Sequence, residues 1–359
     1  MKISIIVGTR PEIIKMSPII RECKKLNVDY FILHTGQHYS YDMDRVFFQQ
    51  LELPLPKYNL TVGSGSHAEQ TGKILIGIEK ILQKEKPDIV LVEGDTNTVL
   101  AGALAAVKLH TRIGHVEAGL RSYDRTMPEE INRILTDHCS DILFAPTKKS
   151  QQNLRNENIQ DNSIFITGNT IVDVVLQYKK IAAKKSNIMK DLGLHSQEYF
   201  LVTTHRQENT DDITRFKGIL KGLQQLHKKY NIPIIYPVHP RTQRKMREFK
   251  LKADGIKLVT PLDFFSFLQL EENSKIVLTD SGGVQEETCI LGTPCVTLRN
   301  NTERPETLKI GSNILAGTTP EKIVQCVSFM YGKNKKWKNP FGSGDAGKKI
   351  VKIVKKVIG

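Results

Sequence analysis

Residues Ile89 to Gly119, IVLVEGDTNTVLAGALAAVKLHTRIGHVEAG, hold three short patterns in succession. An apolar run ends at Asp95, an Ala-rich segment from Val99 to Leu109 has the composition of a buried helix, and RIGHVEAG returns to strand character. Strand, crossover helix and strand make the unit of a parallel sheet, and strands apolar throughout belong to a sheet covered by helices on both faces.

The same alternation runs on either side. KISIIV (Lys2 to Val7) precedes a helix with Ile13, Met16, Ile20 and Cys23 at helical spacing, and YFILHT (Tyr30 to Thr35) is the next strand. A helix around Val46 and Phe47 and a long amphipathic one from His67 to Lys84 lead into Ile89. PEEINRILTDHCS, DILFAPT and IFITGNT continue the series, and YFLVTTHR, IIYPVHP, IKLVTPL, KIVLTD and CVTL repeat it in the second half.

A chain of 359 residues is too long for one ordinary core. The expected fold is therefore α/β, with two Rossmann-like, doubly wound domains: residues 1–168, and residues 169–344 after a join past Gly168. The basic amphipathic helix at 345–359 would pack back on the first. Strand C-termini of two such sheets would face a shared cleft, where doubly wound sheets bind ligands.

Composition narrows the class. Hydrophobic content of 39% and charged content of 25% describe a soluble globular protein. No apolar run approaches the ~20 residues of a membrane span, and the N-terminus reads as a first strand, not a signal peptide. Five scattered cysteines without C-x-x-C spacing suit the reducing cytoplasm and exclude both a disulfide framework and a zinc site. The net charge of +14 lies largely in Lys runs, Lys333 to Lys338 and Lys348 to Lys356, without a glycine-aromatic RNA-binding signature. It is read as a solvated basic face, so no nucleic-acid partner is expected.

In IVLTDSGGVQEETCILG, Ile276 to Gly292, a strand ends at Asp280, a Ser-Gly-Gly turn follows, and a helix starts near Val284. Such a turn offers free backbone N–H groups to an anion, and Gly282 and Gly283 let it approach closely. Ser281 could instead simply cap the helix. Glu287, one turn on, would repel a phosphate but could accept bonds from two ribose hydroxyls, which favours a nucleoside diphosphate. Cations stand at other strand ends: Arg10 and Lys15, His205 and Arg206, His239 and Arg241, with Arg304 in NNTERPE. Acids mark the first half instead: Asp95, Glu117, and Glu129 or Glu130. Three carboxylates facing a cationic pocket suggest acid–base machinery. No Walker or G-x-G-x-x-G spacing is present, which argues against a bound NAD, and His115 with Glu117 alone does not make a metal site.

GTRPEIIKMSP, TGQH, GDTNTVLAGALAA, HVEAGLR, PEEINR, TTHRQEN, TDSGGVQEE and TERPE, in that order, resemble the non-hydrolysing UDP-N-acetylglucosamine 2-epimerases from Ile3 to about Leu315. The resemblance implies the two-domain GT-B architecture and interconversion of UDP-N-acetylglucosamine and UDP-N-acetylmannosamine without NAD or an essential metal. It implies that Arg10, Lys15, His205, Ser281, Gly282, Gly283 and Arg304 hold the diphosphate, Glu287 the ribose, and Phe267 with the backbone near Leu262 the uracil. Asp95, Glu117 and Glu129 become the acid–base candidates, with His205 beside them. Members with an allosteric substrate site are similar at Gln37-His38 and His239, but this chain has Glu69-Gln70-Thr71 where they have Arg-Gln-Thr. A cytoplasmic homodimer serving polysaccharide biosynthesis is the corresponding expectation, with UDP-N-acetylglucosamine and UDP as its ligands. Alternatives are a hydrolysing epimerase, an epimerase of a UDP-diacetamido sugar, and a GT-B glycosyltransferase.

Overall fold

The computed structural model describes residues 1–37, 41–333 and 337–359, so His38, Lys335 and Lys336 lie outside it. Two compact units divide the chain: Met1–Val174 with Phe341–Gly359, and Val175–Pro340. The division falls inside the helix Thr170–Lys185 and not at the glycine that precedes it.

Unit 1 is built on β1 (Lys2–Val7), β2 (Asp29–His34), β3 (Tyr58–Asn59), β4 (Ile89–Glu93), β5 (Arg112–Val116), β6 (Ile142–Ala145) and β7 (Ile164–Ile166). They hydrogen-bond in the order β3-β2-β1-β4-β5-β6-β7, every described pair parallel. Unit 2 carries β8 (Phe200–Thr203), β9 (Ile234–Pro237), β10 (Lys257–Val259), β11 (Ile276–Thr279), β12 (Cys295–Thr297) and β13 (Asn313–Leu315), ordered β10-β9-β8-β11-β12-β13. These are also parallel. The edge strand β3 spans only Tyr58 and Asn59, too short for an alternating pattern to reveal it.

Both orders reverse beside their first strand. β1 has β2 on one side and β4 on the other, and β8 has β9 and β11. Crossovers leave in opposite directions there, so the helices part and the carboxyl ends of the two middle strands stay uncovered. Gly8 to Arg10 follow β1, Gly94 and Asp95 follow β4, Thr204 to Arg206 follow β8, and Asp280 and Ser281 follow β11. Arg10, Asp95, His205 and Ser281 lie at these ends because the strand order puts them there.

Apolar side chains fill the space between sheet and helices. In unit 1, Ile6, Val90, Val92 and Ile113 pack with Ile74, Ile78 and Val99. In unit 2, Val202, Leu278 and Val296 pack with Phe216, Leu220 and Ile323. No helix among the described residues is long and apolar enough to cross a membrane.

The final helix, Ala346–Ile358, packs on Arg10–Lys25, where a Cβ added at Gly347 would stand 2.7 Å from Cβ of Pro18. Its first two N–H groups donate to Asp173, each at 3.1 Å, and Ile350, Val351 and Val354 are buried while Lys352 and Lys355 face out. Because the helix closes the core of unit 1, Ile350→Ala should lower stability by about 2 to 5 kcal/mol. Urea denaturation followed by circular dichroism measures this, with Lys352→Ala as the control, expected within about 0.5 kcal/mol of the parent.

Candidate active site

In unit 2 the turn after β11 is organised by Asp280, whose side chain is fully buried. Its carboxylate accepts the backbone N–H groups of His205 (3.1 Å) and Arg206 (3.2 Å) and the Asn209 amide (3.0 Å). Arg206 Nε returns a bond to the Asp280 carbonyl at 3.0 Å. The segment after β8 is thereby fastened to the end of β11, and the His205 side chain stays 55% exposed, with Nδ1 3.4 Å from Asp280. His239 caps the helix Pro240–Glu248 nearby. Burial, then the charges of His205 and Arg241, hold its imidazole below the usual value.

The helix that follows is Gly282–Leu291, two residues earlier than its expected start, with Ser281 at its N-cap. Ser281 makes no side-chain capping bond, so capping does not explain the serine. The two glycines differ. A Cβ on Gly282 would overlap Oε1 of Glu303, whereas the nearest neighbour of one on Gly283 is Ser281 Oγ at 3.9 Å. Packing therefore requires the first glycine but not the second, whose open side suits an anion against the helix N-terminus.

The adjacent acids also part company. Glu286 is buried and pairs with Arg304 Nε at 2.5 Å, while Glu287 is half-exposed. Arg304 itself is only 4% exposed and lies behind the turn, its guanidinium carbon 3.8 Å from a Cβ built on Gly282. It steadies the helix that carries Glu287. Arg299 and Arg206 do the same for the adjoining loop through Glu303, at 2.9 and 3.4 Å. Leu262 and Phe267 are half-buried and pack against an apolar cluster that includes Val284, Tyr199 and Leu201.

In unit 1 the carboxylates gather at the ends of β4 and β5. Lys15, one turn into Arg10–Lys25, is buried and donates to Glu117, with Glu93 3.3 Å away. Asn169 Nδ2 gives Glu117 a second donor at 3.0 Å. The backbone at Glu117 is left-handed, φ 68°, which costs a non-glycine residue about 1 kcal/mol or more and turns its side chain out of the strand register. Asp95 is half-exposed, pairs with Arg133, and offers its carbonyl to Asn132 at 3.0 Å. Arg133 also pairs with Glu130, which accepts the N–H groups of Ser122 (3.0 Å) and Tyr123 (2.8 Å). Glu130 is thus a structural anchor. Its neighbour Glu129 is half-buried, and its carboxylate has no partner among the described residues. Arg10 is half-buried with its guanidinium 4.8 Å from the centre of the Phe47 ring.

Several groups here were not expected from sequence. Glu93 ends a strand that otherwise reads as apolar, and Glu12 sits beneath the turn after β1. Burial pushes Glu93 up, and the nearby Glu117, Glu12 and Asp95 add to that against the ammonium of Lys15. His115 and Asp137 are also buried and meet at 2.6 Å. Burial alone would raise Asp137, but His115 and Arg121 hold its carboxyl below the usual carboxylate range.

The sequence profile of the UDP-N-acetylglucosamine 2-epimerases matches residues 21–355. A UDP-N-acetylglucosamine 2-epimerase of Methanocaldococcus jannaschii is 56% identical over 361 residues, with 99% of each chain covered. The chain belongs to the UDP-N-acetylglucosamine 2-epimerase family. The crystal structure of the M. jannaschii UDP-GlcNAc 2-epimerase in complex with UDP-GlcNAc and UDP superposes with a TM-score of 0.95, covering 99% of this chain and 100% of that one. A UDP-2,3-diacetamido-2,3-dideoxy-D-glucuronate 2-epimerase of Pseudomonas aeruginosa is 41% identical, covering 99% of this chain and all of the other. The two parallel-sheet units are those of the family fold.

The chemistry at the unit 1 strand ends has a measurable consequence. Glu12 accepts from Gly8 N–H (2.6 Å), Thr9 Oγ1 (2.9 Å) and Thr96 Oγ1 (2.7 Å). Burial nevertheless outweighs the bonds from Thr96, Gly8 and Thr9 and raises its carboxyl from 4.5 to about 7. Between those values the folded chain keeps a proton that the unfolded chain releases, so this group's contribution to stability falls as pH rises through the window. Relative to Glu12→Gln, which has no such proton, the parent should lose about 3 kcal/mol between pH ~4.5 and ~7. Urea denaturation at a series of pH values reads the difference, and parallel curves would contradict the shift.

Proposed function

We propose that this epimerase interconverts UDP-N-acetylglucosamine and UDP-N-acetylmannosamine by eliminating and re-adding UDP. What carries the reading is the contrast between the two sets of strand ends. Unit 2 offers a glycine turn at a helix N-terminus, the His205–Arg206 segment and a half-exposed Glu287. Unit 1 offers Asp95 and Glu117 just past the ends of β4 and β5, and Glu129 in the first turn of Pro128–Cys139. The first set suits UDP and the second suits proton transfer on the sugar. The ligands of the M. jannaschii complex, UDP-GlcNAc and UDP, support the same substrate.

The C2 proton of the sugar is barely acidic, because C2 neighbours an anomeric carbon and not a carbonyl. Departure of UDP from C1 generates oxocarbenium character that acidifies C2–H. A carboxylate of unit 1 takes that proton, and 2-acetamidoglucal forms. UDP then adds back to C1 while a proton returns to the opposite face of C2. Asp95, Glu117 and Glu129 share these transfers, with His205 beside the leaving phosphate. N–H groups at Gly282 and Gly283, together with Arg10 and His205, stabilise the charge that builds on the departing diphosphate. Ser281 adds a hydroxyl to that cradle, Glu287 receives the ribose hydroxyls, and Leu262 with Phe267 flank the uracil. Lys15 and Arg304 act from behind, through Glu117 and Glu286. The unpaired cysteines, Cys23, Cys139, Cys289, Cys295 and Cys326, suit a reducing cytoplasm, and the family resemblance supports a homodimer making a sugar nucleotide for polysaccharide.

The P. aeruginosa relative favours a second reading, epimerisation of a UDP-diacetamido uronate, which shares the C2 chemistry but adds a carboxylate to the sugar. Proton NMR of the chain with each sugar nucleotide, without added NAD, separates the two. The expected result is UDP-N-acetylmannosamine from UDP-N-acetylglucosamine, faster than any turnover of the uronate. Free N-acetylmannosamine would mean a hydrolysing enzyme, and sugar transfer without C2 inversion a glycosyltransferase.

A further inference from the structure

The helix Pro128–Cys139 carries Glu129, bonds Asp95 and reaches the turn just past Glu117. Glu129 stands in its first turn. One turn on, Asn132 and Arg133 hold the carbonyl and the carboxylate of Asp95. One turn further, Asp137 accepts Gly119 N–H at 3.1 Å and Arg121 Nη1 at 2.7 Å, just beyond Glu117. Residues 129, 133 and 137 are spaced by four and share one side of the helix.

His115 joins the remaining parts. It lies on β5 and is fully buried, with Nδ1 2.6 Å from Asp137 Oδ1 and Nε2 2.8 Å from the Gly94 carbonyl oxygen. A carbonyl oxygen only accepts, so Nε2 carries a hydrogen, and the short contact on the other side holds a second hydrogen shared with the carboxylate. The Gly94 carbonyl belongs to the peptide that enters Asp95. Gly94 N–H, in turn, donates to Val116 at 3.2 Å.

We propose that His115 and Asp137 form a bracket that fixes the peptide entering Asp95 against the turn carrying Glu117, making them positioning residues for proton transfer at C2. The inference rests on the function proposed above. Neither side chain is exposed, so each acts through a backbone it holds. One backbone conformation needs such a hold: Glu117, left-handed at φ 68°. A left-handed glutamate persists only where its surroundings overdetermine it. Here Ala118 N–H is bonded to Phe144 O at 3.2 Å and Gly119 N–H to Asp137, while His115 secures the facing turn.

Two single substitutions cut the bracket at opposite ends. His115→Gln keeps a donor for Gly94 and gives up Asp137, and His115→Asn does the reverse. Displacing a catalytic group by a fraction of an ångström to one ångström costs up to about a hundredfold, so each variant should lose about ten- to a hundredfold in kcat. UDP affinity, measured by calorimetry, should be unchanged, a split that general destabilisation would not produce. Asp137→Asn, which keeps the volume, should show the same split. In wild-type proton–nitrogen spectra His115 should give a far-downfield Nδ1 proton, lost in Asp137→Asn. Wild-type kcat in the folded variants, or absence of that proton in the wild type, overturns the bracket. If a His115 variant does not fold, Asp137→Asn and the wild-type spectrum decide. A wild type that never inverts C2 sinks the proposed function alone, and the resonance with its loss then decides the bracket by itself.

Discussion

A parallel strand that ends in a buried acid must have that polar group met by whatever leaves the strand beside it. Both sheets are built on this constraint. In unit 1, Glu93 closes β4 and meets Lys15, on the helix that follows the adjacent β1. In unit 2, Asp280 follows β11 and takes N–H groups from the segment that follows the adjacent β8. Removing one partner from such a buried arrangement costs about 3 to 5 kcal/mol, so the two segments are held where the strand order reverses.

The same constraint sets the chemistry of each unit. Backbone N–H groups meet Asp280, so the His205 side chain is left to face outward beside the glycine turn. An ammonium meets Glu93, and the same ammonium holds Glu117, which puts a carboxylate pair around one cation at the end of the sheet. One arrangement leaves the His205 imidazole facing out beside a helix N-terminus, and the other gathers acids. Burial raises both Glu93 within that cluster and Glu12 beside it, so these carboxyls hold protons more tightly than exposed ones do.

Much of this was legible in the sequence, and what was not has a physical reason. Apolar strands alternating with amphipathic helices report a doubly wound sheet directly, since burial on both faces fixes composition. The loops that carry Asp95, Glu117 and His205 follow from the strands before them. Side-chain direction does not. Glu286 and Glu287 are neighbours in sequence, yet a step of one residue around the helix buries the first against Arg304 and leaves the second half-exposed. Arg304 and Lys15 are cations near a strand end, and nothing local says that carboxylates already occupy them. His115 and Asp137 are separated by a strand end, a loop and most of a helix, so their contact belongs to the tertiary structure alone.

The central claim is a division of labour, in which unit 2 retains UDP and the carboxylates of unit 1 move the C2 proton. Deuterium incorporation at C2 of UDP-N-acetylglucosamine in D2O, followed by NMR for Glu117→Gln alongside calorimetric UDP binding, tests it most directly. Loss of a general acid–base group is worth about 10²- to 10⁴-fold, so exchange should fall by that factor while UDP affinity stays at the wild-type value. Exchange at the wild-type rate, or UDP binding lost in step with exchange, would contradict the account.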